Sequence, residues 1–372
     1  MTLRERILAV YAGETPDVVP YMLDLSHWFY HKHHMPWDLS RSYLTPEREL
    51  IDYHRRTGVG FYVPNLGSFY EATYGPDVKA SCTRDESDGV EIVWRYETPA
   101  GSIERRRKWS EETYSWHISH WGVSTEQDLR VLAHALGSLQ FRPIWERYQP
   151  WVDCVGECGV VYMSPGYSAM GYLLNYWMGI ERTLYAAVDW PELLHEVVDG
   201  INEACLRLTD MLALAPAEII ILGDNFSSDV QSPRFFAEWS RPFYAEAIRR
   251  LHKGGKHVAV HIDGHLRGLL RAFAEIGADC ADAVTPAPMG DLTAEECRDE
   301  AGPDFILSGG VPPNLWLPEA REEAFRESLL RWLATAKRSP RLIANAGDQV
   351  PPGALEDRIL LARDLVEQYG RL

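Results

Sequence analysis

The sequence predicts an α/β protein, a (β/α)₈ TIM barrel with an antiparallel β-hairpin inserted in its N-terminal third. Three observations carry this prediction. From residue 159 onward, apolar runs of strand length alternate with amphipathic segments of helix length, the pattern of repeated βα units and a parallel sheet. Two further strand-like runs lie upstream and bring the total to eight. Between them and the regular part, residues 79–123 alternate in character around a Pro-Ala-Gly turn, the period of an antiparallel ribbon and not of a barrel unit.

In chain order, the first strand is expected at 18–23 and the second at 60–63, with a helix near 45–56 between them. The run EIVWRYETPAGSIERRRKW then forms the inserted hairpin, read as a flap over 79–123. Strands follow at 160–163, 218–222, 257–261, 280–284, 305–307 and 342–345. The helices between them, at 191–214, 233–252, 266–276 and 319–336, space their apolar residues by three and four. Two of them open on Pro191 and Pro233, in the first turn, where proline's missing N–H has no intrahelical partner to lose. No solenoid repeat, low-complexity stretch or long linker divides the chain, so residues 1–372 are read as one domain with the flap inside it.

Composition bounds the function. The chain has 372 residues, 46 % of them apolar, which is ample for a large core. Its 37 basic and 54 acidic residues leave a formal charge of −17, which disfavours nucleic acid and an anionic membrane surface as partners. Charges at Arg4, Glu5 and Arg6 interrupt the start, and no apolar run approaches the roughly 18 residues of a membrane span, so a cytoplasmic location is expected. The six cysteines are scattered without a CxxC pair and read as ordinary thiols.

Barrel enzymes place their chemistry at the carboxyl ends of the strands. Just past each predicted strand stand Asp24 and His27, Asn65, Ser164 with Gly166, Asp224 with Asn225, His261 with Asp263, Thr285, Gly309 with Gly310, and Asn345 with Asp348. In the segment Val258-Ala259-Val260-His261-Ile262-Asp263, His261 and Asp263 project to one side of an extended chain. They suit a shared metal or an acid–base pair; the plainer alternative is a core histidine and a helix cap before Leu266. Asp224 and Asn225 end a fully apolar run, where they either bind substrate or cap the turn through Ser227 and Ser228.

Asp348 follows the last strand, whose loop faces the earlier ones across a narrow mouth, so it completes a His261, Asp263, Asp348 set. Three protein ligands with an open position are the pattern of a catalytic metal; zinc fits, and the oxygen-rich set also admits iron or manganese. The segment from His27 to Trp37 concentrates histidines and aromatic residues and reads as a lid over the mouth, or less simply as a histidine metal site. Tyr172 and Tyr176, four apart, either present hydroxyls to the pocket or pack as helix residues.

At these residues the chain resembles the uroporphyrinogen decarboxylase superfamily, which includes the cobalamin-dependent methyltransferases. The resemblance rests on Arg4-Glu5-Arg6-Ile7-Leu8, Thr15-Pro16-Asp17-Val18-Val19-Pro20, Leu222-Gly223-Asp224-Asn225, His261-Ile262-Asp263-Gly264, Thr285-Pro286-Ala287-Pro288-Met289-Gly290-Asp291, Leu307-Ser308-Gly309-Gly310-Val311-Pro312 and Gly347-Asp348. These segments span nearly the whole chain. Two departures set it apart from the decarboxylases themselves. Where they carry an arginine-containing loop after the first strand, this chain reads Asp24-Leu25-Ser26-His27-Trp28, and where they carry a histidine in the last loop it has Asp348. Tyr176 falls roughly at the decarboxylase tyrosine.

The methyltransferase branch is the nearer one, and it implies a zinc-type site in which His261 matches the family histidine while Asp263 and Asp348 replace two cysteines. Carboxylate ligands leave a metal more electrophilic than thiolates, which suits an oxygen or nitrogen substituent. The resemblance therefore implies methyl transfer between a small methoxylated or methylamine-type substrate and a corrinoid on a separate protein, in a homodimeric enzyme. Asp224, Tyr176 and His261 would then be catalytic, and Asp24, His27, Tyr172 and Asn225 would bind substrate. The alternatives are a metal-independent decarboxylase or lyase acting on a small carboxylate, with Arg267 the nearest cation, and a non-catalytic binder.

Overall fold

A computed structural model describes residues 1–35, 43–64, 66–87 and 89–372. Asn65 and the Pro36-Trp37 end of the predicted lid lie outside the described residues. In chain order the strands are β1 (Met22–Leu23), β2 (Gly60–Phe61), β3 (Tyr70–Thr73), β4 (Lys79–Asp85), β5 (Glu91–Thr98), β6 (Gly101–Ser110), β7 (Ser115–His120), β8 (Gln140–Pro143), β9 (Ile219–Phe226), β10 (His257–Ile262), β11 (Cys280–Val284), β12 (Ile306–Val311) and β13 (Leu342–Ala346).

Strands β9 to β13 pair in parallel in sequential order. The ring continues through β1 and β2, which pair in parallel, and through isolated parallel bridges of Tyr21 to Ala344, Phe61 to Gly159 and Met163 to Ile220. Eight passes of chain thus circle the axis, as the alternation predicted. The N-terminal passes are paired more sparsely than expected: residues 160–163 form no regular strand and hold their place through bridges at Gly159 and Met163. Val18 instead bridges Arg371 antiparallel, outside the ring.

Side chains of a strand point alternately inward and outward, so each barrel strand feeds two cores. One buried cluster joins Met22, Tyr62, Val160, Tyr162, Ile219, Ile221, Ala259, Cys280, Ile306 and Ile343, one or two residues from every pass; Ile7, Val10 and Tyr11 of the helix Leu3–Tyr11 pack against it. That helix begins at Thr2, whose side chain caps Glu5 N while the Glu5 carboxylate returns to Thr2 N. The alternate residues, among them Ile220, Leu222, Val258, Val260, Ala281, Leu307, Leu342 and Ala344, face the outer helices in a second, larger core.

The insertion is more than the predicted hairpin. Strands β4 to β7 form a four-stranded antiparallel meander, and the Pro-Ala-Gly turn is its central β5–β6 connection. One face of the meander packs through Tyr96 and Ile103 against the helices Glu126–Gly137 and Pro191–Leu212 and the segment Leu173–Trp177, forming a third core. Among the described residues no helix is long and apolar enough to cross a membrane.

Candidate active site at the barrel mouth

The alternation that builds the inner core also builds the site. Two residues beyond Met22, Ala259, Cys280 and Ile343, on the same inward face, stand Asp24, His261, Asp282 and Asn345. These four, with Tyr62, Pro64, Ala283, Asp348 and Gln349, line one narrow cavity at the carboxyl ends of the strands. Its free volume of about 10 Å³ is room for about one water-sized group.

His261 Nδ1 lies 2.9 Å from Asp282 Oδ2, and the Asp282 side chain is 2 % exposed. Burial alone would lower the histidine pKa. The hydrogen bond to Asp282 and the charges of Asp282, Asp348 and Asp263 outweigh it and raise the imidazole to about 9. His261 is therefore an imidazolium at neutral pH, donating to Asp282. Burial, reinforced by the neighbouring charges of Asp263 and Asp24, raises the Asp348 carboxyl to about 6 against the pull of His261. Asp24 is also raised by burial, although it accepts from Ser26 N at 2.9 Å, Ser26 Oγ at 2.6 Å and Gln349 Nε2 at 3.0 Å. That last bond, with Val350 N donating to Asp24 O at 3.0 Å, ties the final loop to the first, the closure expected of a barrel mouth.

Three buried polar atoms that line the cavity, Tyr62 Oη, Asp282 Oδ1 and Asn345 Oδ1, have no well-formed hydrogen bond among the described residues, and the Tyr62 hydroxyl faces the Asp282 carboxylate. Two acceptors and a hydroxyl suit a small protic group. The backbone is unusual at the same rim. Opposite β10, the β9 pairing jumps from Gly223 to Phe226, so Asp224 and Asn225 bulge out, and the β11–β12 register shifts across Asp282 and Ala283. Asn225 and Ala283 hold φ of +50° and +62°, conformations that cost a residue with a Cβ about 1–3 kcal/mol and concentrate at functional sites.

Other predicted residues stand elsewhere. The Asp224 side chain turns away from this cavity and braces the loop after residue 163: it accepts from Ser168 N at 2.8 Å and from Ser168 Oγ, while Asn175 Nδ2 donates to its carbonyl at 2.7 Å. It therefore does not cap the turn at Ser227 and Ser228. Burial raises its pKa to about 6 against those hydrogen bonds and one from Tyr244. The fit depends on Gly171, where a Cβ would sit 2.0 Å from Asp224 Oδ1. Gly171→Ala is expected to destabilise the protein by about 1–3 kcal/mol, read from urea unfolding, because neither the buried carboxylate nor the helix start can retreat. Asn225 is exposed at the bulge.

His27 sits in the helix Ser26–Lys32 with its Nε2 2.6 Å from the carbonyl of Tyr114, at the β6–β7 turn, and does not line the cavity. The Tyr114 hydroxyl donates to Tyr30 O at 3.0 Å, so the inserted meander is latched over this first-strand segment. Tyr172 ends a short helix, and Tyr176 lies in the π-helical turn Leu173–Trp177; both rings pack with Tyr167, whose centroid is 5.9 and 5.1 Å away. Arg267 is exposed and turned to Asp291, away from the mouth.

Among the described residues no three His, Cys, Asp or Glu side chains gather closely enough to hold a metal ion. His261, Asp263 and Asp348 are near enough to shift one another's protonation, and the bond from Nδ1 of His261 to Asp282 leaves Nε2 as the ring nitrogen that faces them. As placed, the three side chains are not gathered into the three-ligand centre expected of them. Sequence reasoning missed Asp282 and Tyr62, which lie within predicted strands and not after them. The available signal was a lone carboxylate in the otherwise apolar run Cys280-Ala281-Asp282-Ala283-Val284.

A parallel barrel with polar side chains converging at the carboxyl ends of its strands is the architecture on which barrel enzymes are built. The description of the family Uroporphyrinogen decarboxylase (URO-D) matches residues 166–369, and the chain belongs to this family. The uroporphyrinogen decarboxylase of Alkalilimnicola ehrlichii is 24 % identical over 257 residues, 68 % of this chain and 66 % of that protein, so the chain spans just under two thirds of this relative. A solved structure described as a methyltransferase from Methanosarcina mazei shares the fold: its TM-score is 0.65 over 99 % of both chains at 14 % identity.

Proposed function

We propose that the chain catalyses acid-assisted methyl transfer from a small methoxylated substrate at the barrel mouth to a corrinoid carried by a separate protein. The observation that carries this reading is the buried His261–Asp282 pair. With Nδ1 held by Asp282, Nε2 is the ring nitrogen left to face a substrate, and the imidazolium is a proton donor at neutral pH. As the methyl carbon bonds to the acceptor, the electron pair of the broken C–O bond stays on oxygen, and the proton of His261 goes to that oxygen. A methoxylated donor uses this acid better than a methylamine-type one, since a protonated amine leaves neutral without it. The cavity admits only a water-sized group, so only the reacting end of the substrate reaches it. In this reading the Asn345 carbonyl oxygen and the Tyr62–Asp282 pair hold the hydroxyl that results.

The relative named as a decarboxylase favours a second reading, in which CO₂ leaves and His261 protonates the carbanion instead. A donor carrying separately labelled methyl and carboxyl carbons, incubated with a reduced corrinoid protein, distinguishes the two. Label on the corrinoid protein is expected. Label released only as CO₂ would overturn methyl transfer in favour of decarboxylation.

A further inference from the structure

The inserted meander carries two cations that no acid among the described residues balances. In β6, Arg105, Arg106 and Arg107 are consecutive, so Arg105 and Arg107 share one face of the strand and Arg106 takes the other. Arg106 is paired with Glu91 at 3.2 Å and with Glu104. Among the described residues, neither Arg105 nor Arg107 makes an ion pair, in a chain with 54 acidic residues against 37 basic ones. Arg105 is 1 % exposed, and its Nε and Nη1 have no hydrogen-bond acceptor. The Nε of Arg107 is likewise buried without one.

Aromatic faces surround the two groups. The guanidinium carbon of Arg105 lies 3.8 Å from the centroid of Tyr176, 4.0 Å from that of Trp94 and 5.2 Å from that of Trp177. That of Arg107 lies 4.4 Å from Tyr176. Rings supply attraction to the flat faces of a guanidinium, and in-plane donors at Nε and Nη1 of Arg105 and Nε of Arg107 stay unmet among the described residues. Burial, with a smaller contribution from the charge of Arg107, lowers the Arg105 pKa to about 10 against the hydrogen bond and charge of the Tyr176 phenol and the charge of the Tyr96 phenol. A purely structural staple would need one cation here, or one cation with a carboxylate. Two neighbouring guanidiniums with open donors are the arrangement that recognises a planar anion.

The place is where the meander packs on the segment after residue 163, beside the Asp224 carboxylate and apart from the cavity of His261. Tyr176 packs on Tyr167 at 5.1 Å, and Tyr167 lies within the electrostatic reach of Arg105, Arg107 and Asp224 at the end of β9. We infer that Arg105 and Arg107, on the inserted meander, form with Tyr176 a binding site for the carboxylate of a small aromatic acid. The meander is then a substrate-recognition element: its guanidiniums take the carboxylate, while the Tyr167, Tyr172 and Tyr176 rings offer flat surfaces to the rest of the molecule. That this molecule is also the substrate rests on the reading of the barrel mouth as the active site; the binding itself does not.

Benzoate, with benzamide as its uncharged isostere, tests the site by calorimetric titration and by the fluorescence of Trp94 and Trp177. Benzoate is expected to bind at least about tenfold more tightly than benzamide, a margin typical of one charge-assisted hydrogen-bonded pair, and to weaken with added salt. Arg107→Gln and Arg105→Met are each expected to weaken benzoate about tenfold or more and to leave benzamide unchanged. Arg107→Gln, the less buried position, keeps the test valid if Arg105→Met does not fold. Equal affinity of the wild type for benzoate and benzamide, or an unchanged benzoate affinity in folded Arg107→Gln, would overturn the inference. Binding of benzoate without methyl transfer or CO₂ release from any carboxylate would sink the functional reading above and leave this one standing.

Discussion

His261→Gln is expected to lower turnover by about 10²–10⁴-fold, the range for loss of a positioned general acid, while the barrel remains folded. Glutamine keeps an N–H for Asp282 and removes the transferable proton. The sign of the pH dependence follows from the wild-type pair. The acid must be protonated to act, and Asp282 with its acidic neighbours holds the imidazole up to about 9, so turnover should stay high through neutrality and fall on an alkaline limb near that value. In the glutamine variant the limb should be gone. Full turnover in His261→Gln, or an unchanged alkaline limb, would remove His261 from the chemistry.

Asp282→Asn is expected to be the most damaging single change to stability at this site, costing about 3–5 kcal/mol in denaturant unfolding, since it leaves a buried cation without its partner. The pH dependence of stability gives the more specific readout. A histidine whose folded pKa is raised stabilises the protein fully below its unfolded value of about 6.5, and that contribution is lost as pH rises through about 9. The wild type should therefore lose stability across this window, and the asparagine variant should show a smaller loss there. The alkaline limb of its remaining activity should shift to lower pH, since the imidazolium has lost its nearest counter-charge. A variant as stable as the wild type with the same pH profile would show that the pair does not set the protonation of His261.

The chemistry visible in the sequence and the chemistry assembled by the fold overlap in part. Asp24, His261 and Asp348 are polar residues placed just after apolar strands, a local signal, and the structure brings all three to one cavity. Asp224 has the same local signal. A bulge in β9 nonetheless turns its carboxylate to Ser168, and no pattern of two residues in sequence predicts where a bulge will fall. Asp282 and Tyr62 were hidden for the opposite reason: each lies inside an apolar run, where the alternating pattern alone does not say which face meets the mouth.

The order of eight strand-length runs, the helices between them and the hairpin period of 79–123 are local properties, since they follow from spacing within a single segment, and the sequence by itself determined them. Which side chains meet was decided only by tertiary structure. The Asp282 carboxylate reaches His261 because neighbouring strands in parallel register set residues 21 apart side by side. Arg105 and Arg107 reach Tyr176 because the meander folds back onto a π-helical turn some 70 residues further on. Contacts of that range depend on register, on bulges and on the closure of the ring, and these are settled by burying one apolar face against another across the whole chain.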